Sequence, residues 1–265
     1  MFNFTYGGID FAHKSDAASS PTESYYKHVH AFNEILYFVE GDVAYTVESE
    51  TKTLVPGDLV LIAPGKFHFA TVNSDVKYER YVLKFPTALL PKFLGERIST
   101  LNPFFGSVKE HSASFKRLDS YHNYGNFTQD ELTAMFMSET IKLLIALSKA
   151  PAAQPHQINT VIAEVIQYID ENIRQPISLD SLCTAFHFSK SYLSNEFKRY
   201  MKVSIMQYVR TKKIIAAHQL ILAGEKKSYV AEQFGFDNYS TFYRQYVRLL
   251  KEDALLIPPQ ESESE

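Results

Sequence analysis

The chain predicts an α+β protein of two domains: a β-sandwich or barrel with a helical extension, followed by an all-α domain with two helix-turn-helix units. Three observations carry this reading. Between Met1 and Lys84, short apolar segments alternate with Gly- and Pro-containing turns. From about Pro86 the apolar spacing becomes helical. Finally, Ser178–Arg199 and Tyr229–Arg248 read as two copies of one helix-turn-helix unit. A chain of 265 residues is long enough to bury two cores of ordinary size.

In the first part, strands are expected at Ile35–Val39, Val43–Val47, Thr53–Val55, Leu59–Ala63 and Tyr78–Phe85. Turns at Glu40-Gly41-Asp42, Pro56-Gly57-Asp58 and Pro64-Gly65-Lys66 separate them. Many short strands at this spacing make a sandwich or barrel. His28, His30, Glu34 and His68 fall in this part. Alternate strand residues share a face, so His28 and His30 would both point into the barrel. Three readings stay open for the set: metal ligands, core histidines satisfied by hydrogen bonds, or the lining of a ligand pocket. Tyr37, Phe38, Tyr45, Phe67, Phe69, Tyr78 and Tyr81 supply apolar faces suited to an organic ligand. Which of them face inward depends on strand register.

Beyond the strands, Leu89–Leu101 is expected as a helix or pair of turns, and Tyr121–Asn126 as a loop. Thr128 to Glu131 form a capping box. They open a helix whose Leu132, Met135, Phe136, Leu143, Leu144 and Leu147 make an apolar stripe. Ala150–Pro155 has linker composition, and a helix over about Ile158–Asn172 follows.

Each helix-turn-helix copy has a physical rationale. Ser178 caps a helix carrying Leu179, Leu182, Ala185 and Phe186 at helical spacing. His187-Phe188-Ser189 turns the chain, Ser189 caps the next helix, and Leu193 and Phe197 face inward. In the second copy Gly235 makes the turn, where positive φ costs glycine little. Asp237 or Asn238 caps the following helix, and Phe242 and Tyr246 face inward. Small polar residues and arginine on the outer faces suit base edges in a major groove.

The stretch from about Ile158 to Pro258 resembles the paired helix-turn-helix domain of the AraC/XylS family of bacterial transcription regulators. The matching residues are Ser189, Tyr192-Leu-Ser194 and Phe197-Lys198, then Tyr208 to Ala217, then Val230-Ala231, Phe234-Gly-Phe-Asp237, Ser240, Phe242 and Arg244. The resemblance implies two recognition helices joined by a linker helix, here about Ile205–Leu222. They enter successive major grooves ~34 Å apart. It places Lys190, Ser191, Ser194 and Asn195 at one groove and Tyr239, Ser240, Thr241 and Arg244 at the other. The chain departs from the family where glycine usually follows each recognition helix, having Lys202 and Lys251 instead. The closing segment also differs, as Ala254-Leu-Leu-Ile-Pro258. Roughly Tyr25 to Phe85 resembles the short motifs of cupins, which are jelly-roll barrels. Cupin enzymes hold a metal with a similar set. Sensor cupins of AraC-like regulators often bind a small organic effector without one. In such regulators a helix at the position of the apolar stripe often pairs subunits, and activation is commoner than repression.

The expected organisation is therefore a cupin-like effector-sensing domain over 1–125, a dimerisation helix and linker over 126–155, an AraC-like DNA-binding domain over 156–258 and an acidic tail over 259–265. The expected function is DNA-binding transcription regulation, more often activation, controlled by a small organic effector. His28, His30, Glu34 and His68 would contact that effector, with no tightly held metal and no other cofactor. DNA, a second copy of the chain and RNA polymerase are the expected partners. Two competing classes are a metal-dependent cupin enzyme and an interaction module that has lost DNA binding. No nucleophile elbow, phosphate loop or CxxC pair points to other chemistry. From His156 to Arg248, 12 Lys/Arg stand against 8 Asp/Glu, while Met1 to Pro155 has 14 against 17. The basic excess thus lies on the part expected to meet phosphates. The single cysteine, Cys183, excludes an intrachain disulfide framework and is expected to be buried. With no basic n-region after Met1 and no long apolar run, a cytoplasmic location without a membrane span is expected.

Overall fold

In the computed structural model, residues 2–17, 28–106, 109–123, 125–150, 155–157, 159–236 and 238–252 are described. The acidic tail, the closing Ala254–Pro258 segment and Asp237 lie outside them. The chain divides into two compact units, residues 1–156 and 157–265.

The first unit is built on two sheets. Its strands are β1 (Asn3–Tyr6), β2 (Ile9–Asp16), β3 (Asn33–Glu40), β4 (Val43–Val47), β5 (Glu50–Thr53), β6 (Leu59–Ile62), β7 (His68–Val72), β8 (Tyr78–Phe85) and β9 (Phe104–Phe105). One sheet runs β1-β2-β8-β3-β6-β9, and the other contains β5-β4-β7. All named pairings are antiparallel. Helices follow at α1 (Lys92–Ile98), α2 (Lys109–Ser120) and α3 (Gln129–Leu147).

Period-two alternation gives the larger sheet two buried faces. Leu36, Phe38, Val60, Ile62, Tyr78 and Val82 face the second sheet and form the barrel interior with Val43, Tyr45 and Val47. Ile35, Leu59, Leu61, Tyr81, Leu83 and Phe85 face the helices instead, packing on Leu94, Phe115, Phe136, Leu143 and Leu147. This explains why all four residues of β6 are buried: covered on both sides, the strand has no need of alternation.

Several elements depart from the sequence expectations. β1, β2, β7, β9 and α2 were not anticipated, and the strand expected at Thr53–Val55 is instead Glu50–Thr53. β2 matters most, since it pairs with β8 over seven residues from Asp10↔Lys84 to Asp16↔Tyr78. The capping box of α3 forms as expected, with Thr128 and Glu131 each bonding the other's backbone N–H. Phe136, Leu143, Leu144 and Leu147 of its apolar stripe belong to the unit's own core. Phe136 stacks on Phe4 with ring centroids 4.8 Å apart.

The second unit contains α4 (Thr160–Glu171), α5 (Leu179–Phe186), α6 (Lys190–Met201), α7 (Ile205–Leu222), α8 (Lys227–Gln233) and α9 (Tyr239–Glu252). The capping serines are where expected: Ser178, Ser189 and Ser204 accept from Ser181 N, Tyr192 N and Gln207 N. α7 serves two cores. Its N-terminal part buries Tyr208, which meets Phe197 of α6 edge-on at 5.3 Å. Its C-terminal part supplies Ile214 and Ala217 to a cluster with Val230, Phe234, Phe242 and Tyr246. A helix that packs against neighbours on opposite sides is apolar around most of its girth. Cys183 is half-buried, less enclosed than expected.

Lys202, which stands where the family usually has glycine, keeps the left-handed conformation with φ 55° and ψ 8°. Lys251 instead lies within α9. An L-residue pays about 1–2 kcal/mol for the left-handed region, part of which glycine's extra chain entropy offsets. Lys202→Gly is therefore expected to stabilise the second unit by about 0.5–1 kcal/mol. Thermal unfolding by circular dichroism checks this, and an unchanged or lowered midpoint contradicts the strain.

Candidate functional site

Two sites emerge, one in each unit. In the first, backbone pairing draws together residues far apart in the chain. His28 and His68 form an isolated antiparallel bridge, each N–H donating to the other's carbonyl at 3.1 Å. Gly65, at φ 78°, donates its N–H to the His30 carbonyl at 2.9 Å, tying the Pro64-Gly65 turn to the same segment. Glu34 sits in β3 beside Lys84 of β8. The result is a cluster of His28, His30, Glu34 and His68 whose potential ligand atoms all lie within 4.8 Å of one another. His30, Glu34 and His68 are buried, while His28 is exposed. The rings of His28 and His30, both expected on one face, lie 5.8 Å apart and differ in burial.

Glu34 Oε2 is the hub, 3.0 Å from His30 Nε2, 3.9 Å from His68 Nε2 and 3.8 Å from Lys84 Nζ. Burial alone would push this carboxyl up. The His30 hydrogen bond and the charges of His68, His30 and Lys84 outweigh that and hold it well below the usual carboxylate range. Burial, reinforced by the neighbouring His28 and His30, lowers the His68 imidazole well below its ordinary value, against the opposing pull of Glu34.

His28 and Glu34 open onto a cavity of about 620 Å³. Leu36, Tyr45, Tyr78 and Val82 line its apolar walls, and Lys14, Asp16, Arg80 and Lys84 its charged ones. The Arg80 guanidinium donates to Asp16 and lies 4.2 Å over the Tyr78 ring. Of the seven aromatics singled out in the sequence, only Tyr45 and Tyr78 line this cavity. Phe38 belongs to the barrel core. Tyr37 and Tyr81 face the helices, Tyr37 stacking on Phe115 at 5.0 Å. The basic residues were missed, although a signal exists: Tyr78, Arg80, Val82 and Lys84 share one face of β8 by alternation.

In the second unit, α6 and α9 each follow a tight turn and bury one face. His187, left-handed at φ 57°, ends α5, and Gly235, at φ 66°, ends α8. Asn238 caps α9, its side-chain oxygen accepting from Ser240 N at 2.8 Å. Leu193 and Phe197 of α6, and Phe242 and Tyr246 of α9, are buried. The outer faces present Lys190, Ser191 and Asn195 on α6 and Tyr239, Ser240 and Arg244 on α9, all exposed, with Ser194 and Thr241 half-buried. Only long 3.5 Å contacts, Asn195 to Ser191 and Arg244 to Thr241, tie the polar heads together. Lys190 differs, being paired with Asp180 at 2.5 Å.

Family models match a stretch in each unit. A family model described as an AraC-like ligand binding domain matches residues 16–124, and a helix-turn-helix domain model matches residues 182–253. The multiple antibiotic resistance protein MarA of Escherichia coli strain K12 is 30% identical over 86 residues, which cover 32% of this chain and 68% of MarA. The chain belongs to the AraC family. An uncharacterised regulator of this helix-turn-helix type, YisR of Bacillus subtilis strain 168, is 21% identical over 251 residues, covering 86% of the AraC-family chain described here and 85% of YisR. The solved structure of unsaturated fatty acid bound ToxT from Vibrio cholerae strain SCE256 matches with 13% identity and a TM-score of 0.41, over 97% of this chain and 96% of ToxT. As an AraC-family member, the chain is a DNA-binding transcription regulator with a ligand-binding domain, and its family is not enzymatic. Among the described residues, no helix is long and apolar enough to cross a membrane.

Proposed function

We propose that a small organic effector in the barrel cavity controls how this regulator acts on specific DNA sites, and that the outcome is activation. The cavity carries this reading. Its volume of about 620 Å³ and its mixture of aromatic, aliphatic and charged walls are those of a small-molecule site. Leu36, Tyr45, Tyr78 and Val82 offer apolar contact. His28 and Glu34, with His30 and His68 behind them, offer hydrogen bonds to hydroxyl or carboxylate groups, and Lys14, Arg80 and Lys84 favour an anionic group. An effector that fits one conformation better shifts the population toward it. Activation is the family's commoner behaviour, through contact with RNA polymerase near the bound site.

On the DNA side, Lys190, Ser191, Ser194 and Asn195 are assigned to one major groove and Tyr239, Ser240, Thr241 and Arg244 to the next. Arg244, exposed on α9, is the residue proposed to read guanine. Arg244→Ala is expected to weaken specific binding by about 1–3 kcal/mol and leave non-specific binding nearly unchanged. Titration of a selected site and of a scrambled duplex at fixed salt measures both. Equal loss on the two would make Arg244 a phosphate contact, and no loss on either would discard the placement of α9.

The partition proposed is sensing over 1–125, pairing and linkage over 126–155, and DNA binding over 156–258, in a cytoplasmic protein. The fragment 156–265 is expected to fold alone, since α4, α5, α6 and α7 carry their own side-chain caps, and to bind the same DNA. An unfolded fragment by circular dichroism would move the boundary. A homodimer through α3 would have to use its outer face, around Ala134, Ser138 and Lys142, which the core leaves exposed.

A further inference from the structure

We propose that Lys213 is a positioning residue for DNA reading: its ammonium clamps the two helix-turn-helix copies at one separation, and so sets which half-site spacing the protein accepts. The inference rests on the reading above, in which α6 and α9 serve successive major grooves.

α7 packs on both copies, and Lys213 sits near its middle. The residue is only 8% exposed. Taking an ammonium out of water is costly unless hydrogen bonds answer it. Burial lowers this one below the ordinary lysine value. Two backbone carbonyls answer it, and they belong to different copies. Nζ donates to the Phe234 carbonyl at 2.8 Å and to the Gln175 carbonyl at 2.9 Å. Hydrogen bonds from a charged donor are stronger than those between neutral groups. Phe234 ends α8 and precedes Gly235, whose positive φ makes the turn of the second copy. A Cβ added at Gly235 would stand 3.8 Å from Nζ, so the lysine head lies against that turn. Gln175 belongs to the segment between α4 and α5 that leads into the first copy. Its own N–H donates to the Asn172 carbonyl at 2.8 Å, which fixes the local backbone. One side chain thus bonds the entry of the first copy and the turn of the second.

Packing around the lysine repeats the link. Ile173 packs against the core of the second copy, which includes Val230, Phe234 and Phe242. The Arg174 guanidinium lies 5.9 Å from the centre of the Phe234 ring. Next along α7, Lys212 reaches Asp170 of α4 at 2.8 Å. The chain leading into the first copy is therefore held both to the second copy and to the helix between them.

The functional consequence comes from the duplex. One base pair advances the groove by ~3.4 Å and rotates it by roughly 35°. Two recognition helices that cannot shift against each other by that much lose one half-site when a base pair is inserted between the half-sites. Each misread base pair costs roughly 5- to 150-fold in affinity. Methionine at position 213 would keep an unbranched apolar stem but leave both carbonyls without the lysine donor, freeing the copies to shift.

The test uses the full chain and two duplexes: one selected by the wild-type protein from random sequence, and the same duplex with one base pair inserted between its half-sites. Wild-type protein is expected to bind the inserted duplex roughly tenfold or more weakly than the selected one. Lys213→Met should lose most of that ratio. Lys213→Arg, whose guanidinium also donates to carbonyls, should keep it. A variant that is merely less stable would bind both duplexes more weakly by the same factor and leave the ratio unmoved. A folded Lys213→Met protein with the wild-type ratio therefore overturns the clamp and leaves the paired-groove reading standing. Wild-type protein indifferent to the inserted base pair overturns both. Should Lys213→Met fail to fold by circular dichroism, the chain with Lys213 in place decides. Spin labels on Ser191→Cys and Ser240→Cys, both exposed positions, in a Cys183→Ser background report the separation of α6 and α9 in the free protein. A distance distribution as narrow as that of two labels on one helix is expected. Broadening beyond that control by more than the ~3.4 Å step of one base pair overturns the proposal.

Discussion

Phe136→Ala is expected to cost the first unit about 3–5 kcal/mol, the usual range for emptying a buried phenylalanine site. The ring is fully buried in the helix-facing core, stacked on Phe4 at 4.8 Å and met edge-on by Tyr121 at 5.4 Å. It also lies 5.2 Å from Phe11 of β2. Its loss thus loosens α3 from the larger sheet, the same sheet that walls the cavity with Tyr78 and Val82. The size of the effect separates two roles for the apolar stripe of α3. A core residue lowers the unfolding midpoint equally at all protein concentrations. A residue buried mainly between two copies makes the loss depend on concentration. Denaturant unfolding at two concentrations tenfold apart reads this directly. A concentration-dependent loss, or a loss well below 1 kcal/mol, would sink the core assignment.

A pH dependence of comparable size is expected from His218. It is enclosed by the second unit, with Nδ1 sharing a 2.9 Å hydrogen bond with the Tyr246 hydroxyl. Burial lowers its imidazole from the ordinary 6.5 to about 4. The same enclosure pushes the Tyr246 phenol up to about 12, with Tyr243 and Tyr239 adding to it. Between about pH 4 and 6.5 the unfolded chain binds a proton at this ring that the folded chain refuses. Stability therefore is complete above pH 6.5 and falls as the pH drops toward 4, by about 3 kcal/mol at the lower end. His218→Leu should flatten that part of the profile, and urea unfolding followed by the helical signal at several pH values measures it. An unchanged slope in the variant would show that other groups carry the acid sensitivity. The loss belongs to the helix-turn-helix core, because Tyr246 lies on the buried face of α9 behind Arg244.

Legibility in the sequence followed the strength of local signals. α7 was anticipated over Ile205–Leu222 and spans those residues. A capping serine opens it, and no glycine or proline interrupts the helix-forming residues that follow. β2 was missed because Ile9 and Phe11 are followed by His13, Lys14, Ser15 and Asp16, too polar a run to read as a strand inside a sheet. That run is tolerated because one face meets a charged cavity, which no local pattern announces. α2 was missed for a related reason. Its polar residues outnumber the anchors Phe115 and Leu118, which are buried through contacts remote in sequence.

By itself, the sequence determined the family, the two-part architecture, the caps and turns of both helix-turn-helix units, and the residue types of the barrel cluster. These rest on interactions between near neighbours in the chain: a serine oxygen on the N–H three residues ahead, a glycine at positive φ, side chains recurring every third or fourth position. Only the tertiary structure decided which face of each strand is inside. It brought His68 to His28 by a backbone bridge, set Lys84 beside Glu34 and Arg80 on the same cavity, and turned Phe136 into the core. Both faces of β8 carry large apolar residues, Tyr78 and Val82 on one and Tyr81, Leu83 and Phe85 on the other. The choice between them is made by the second sheet on one side and α1 to α3 on the other, through burial that exists only once distant segments have met.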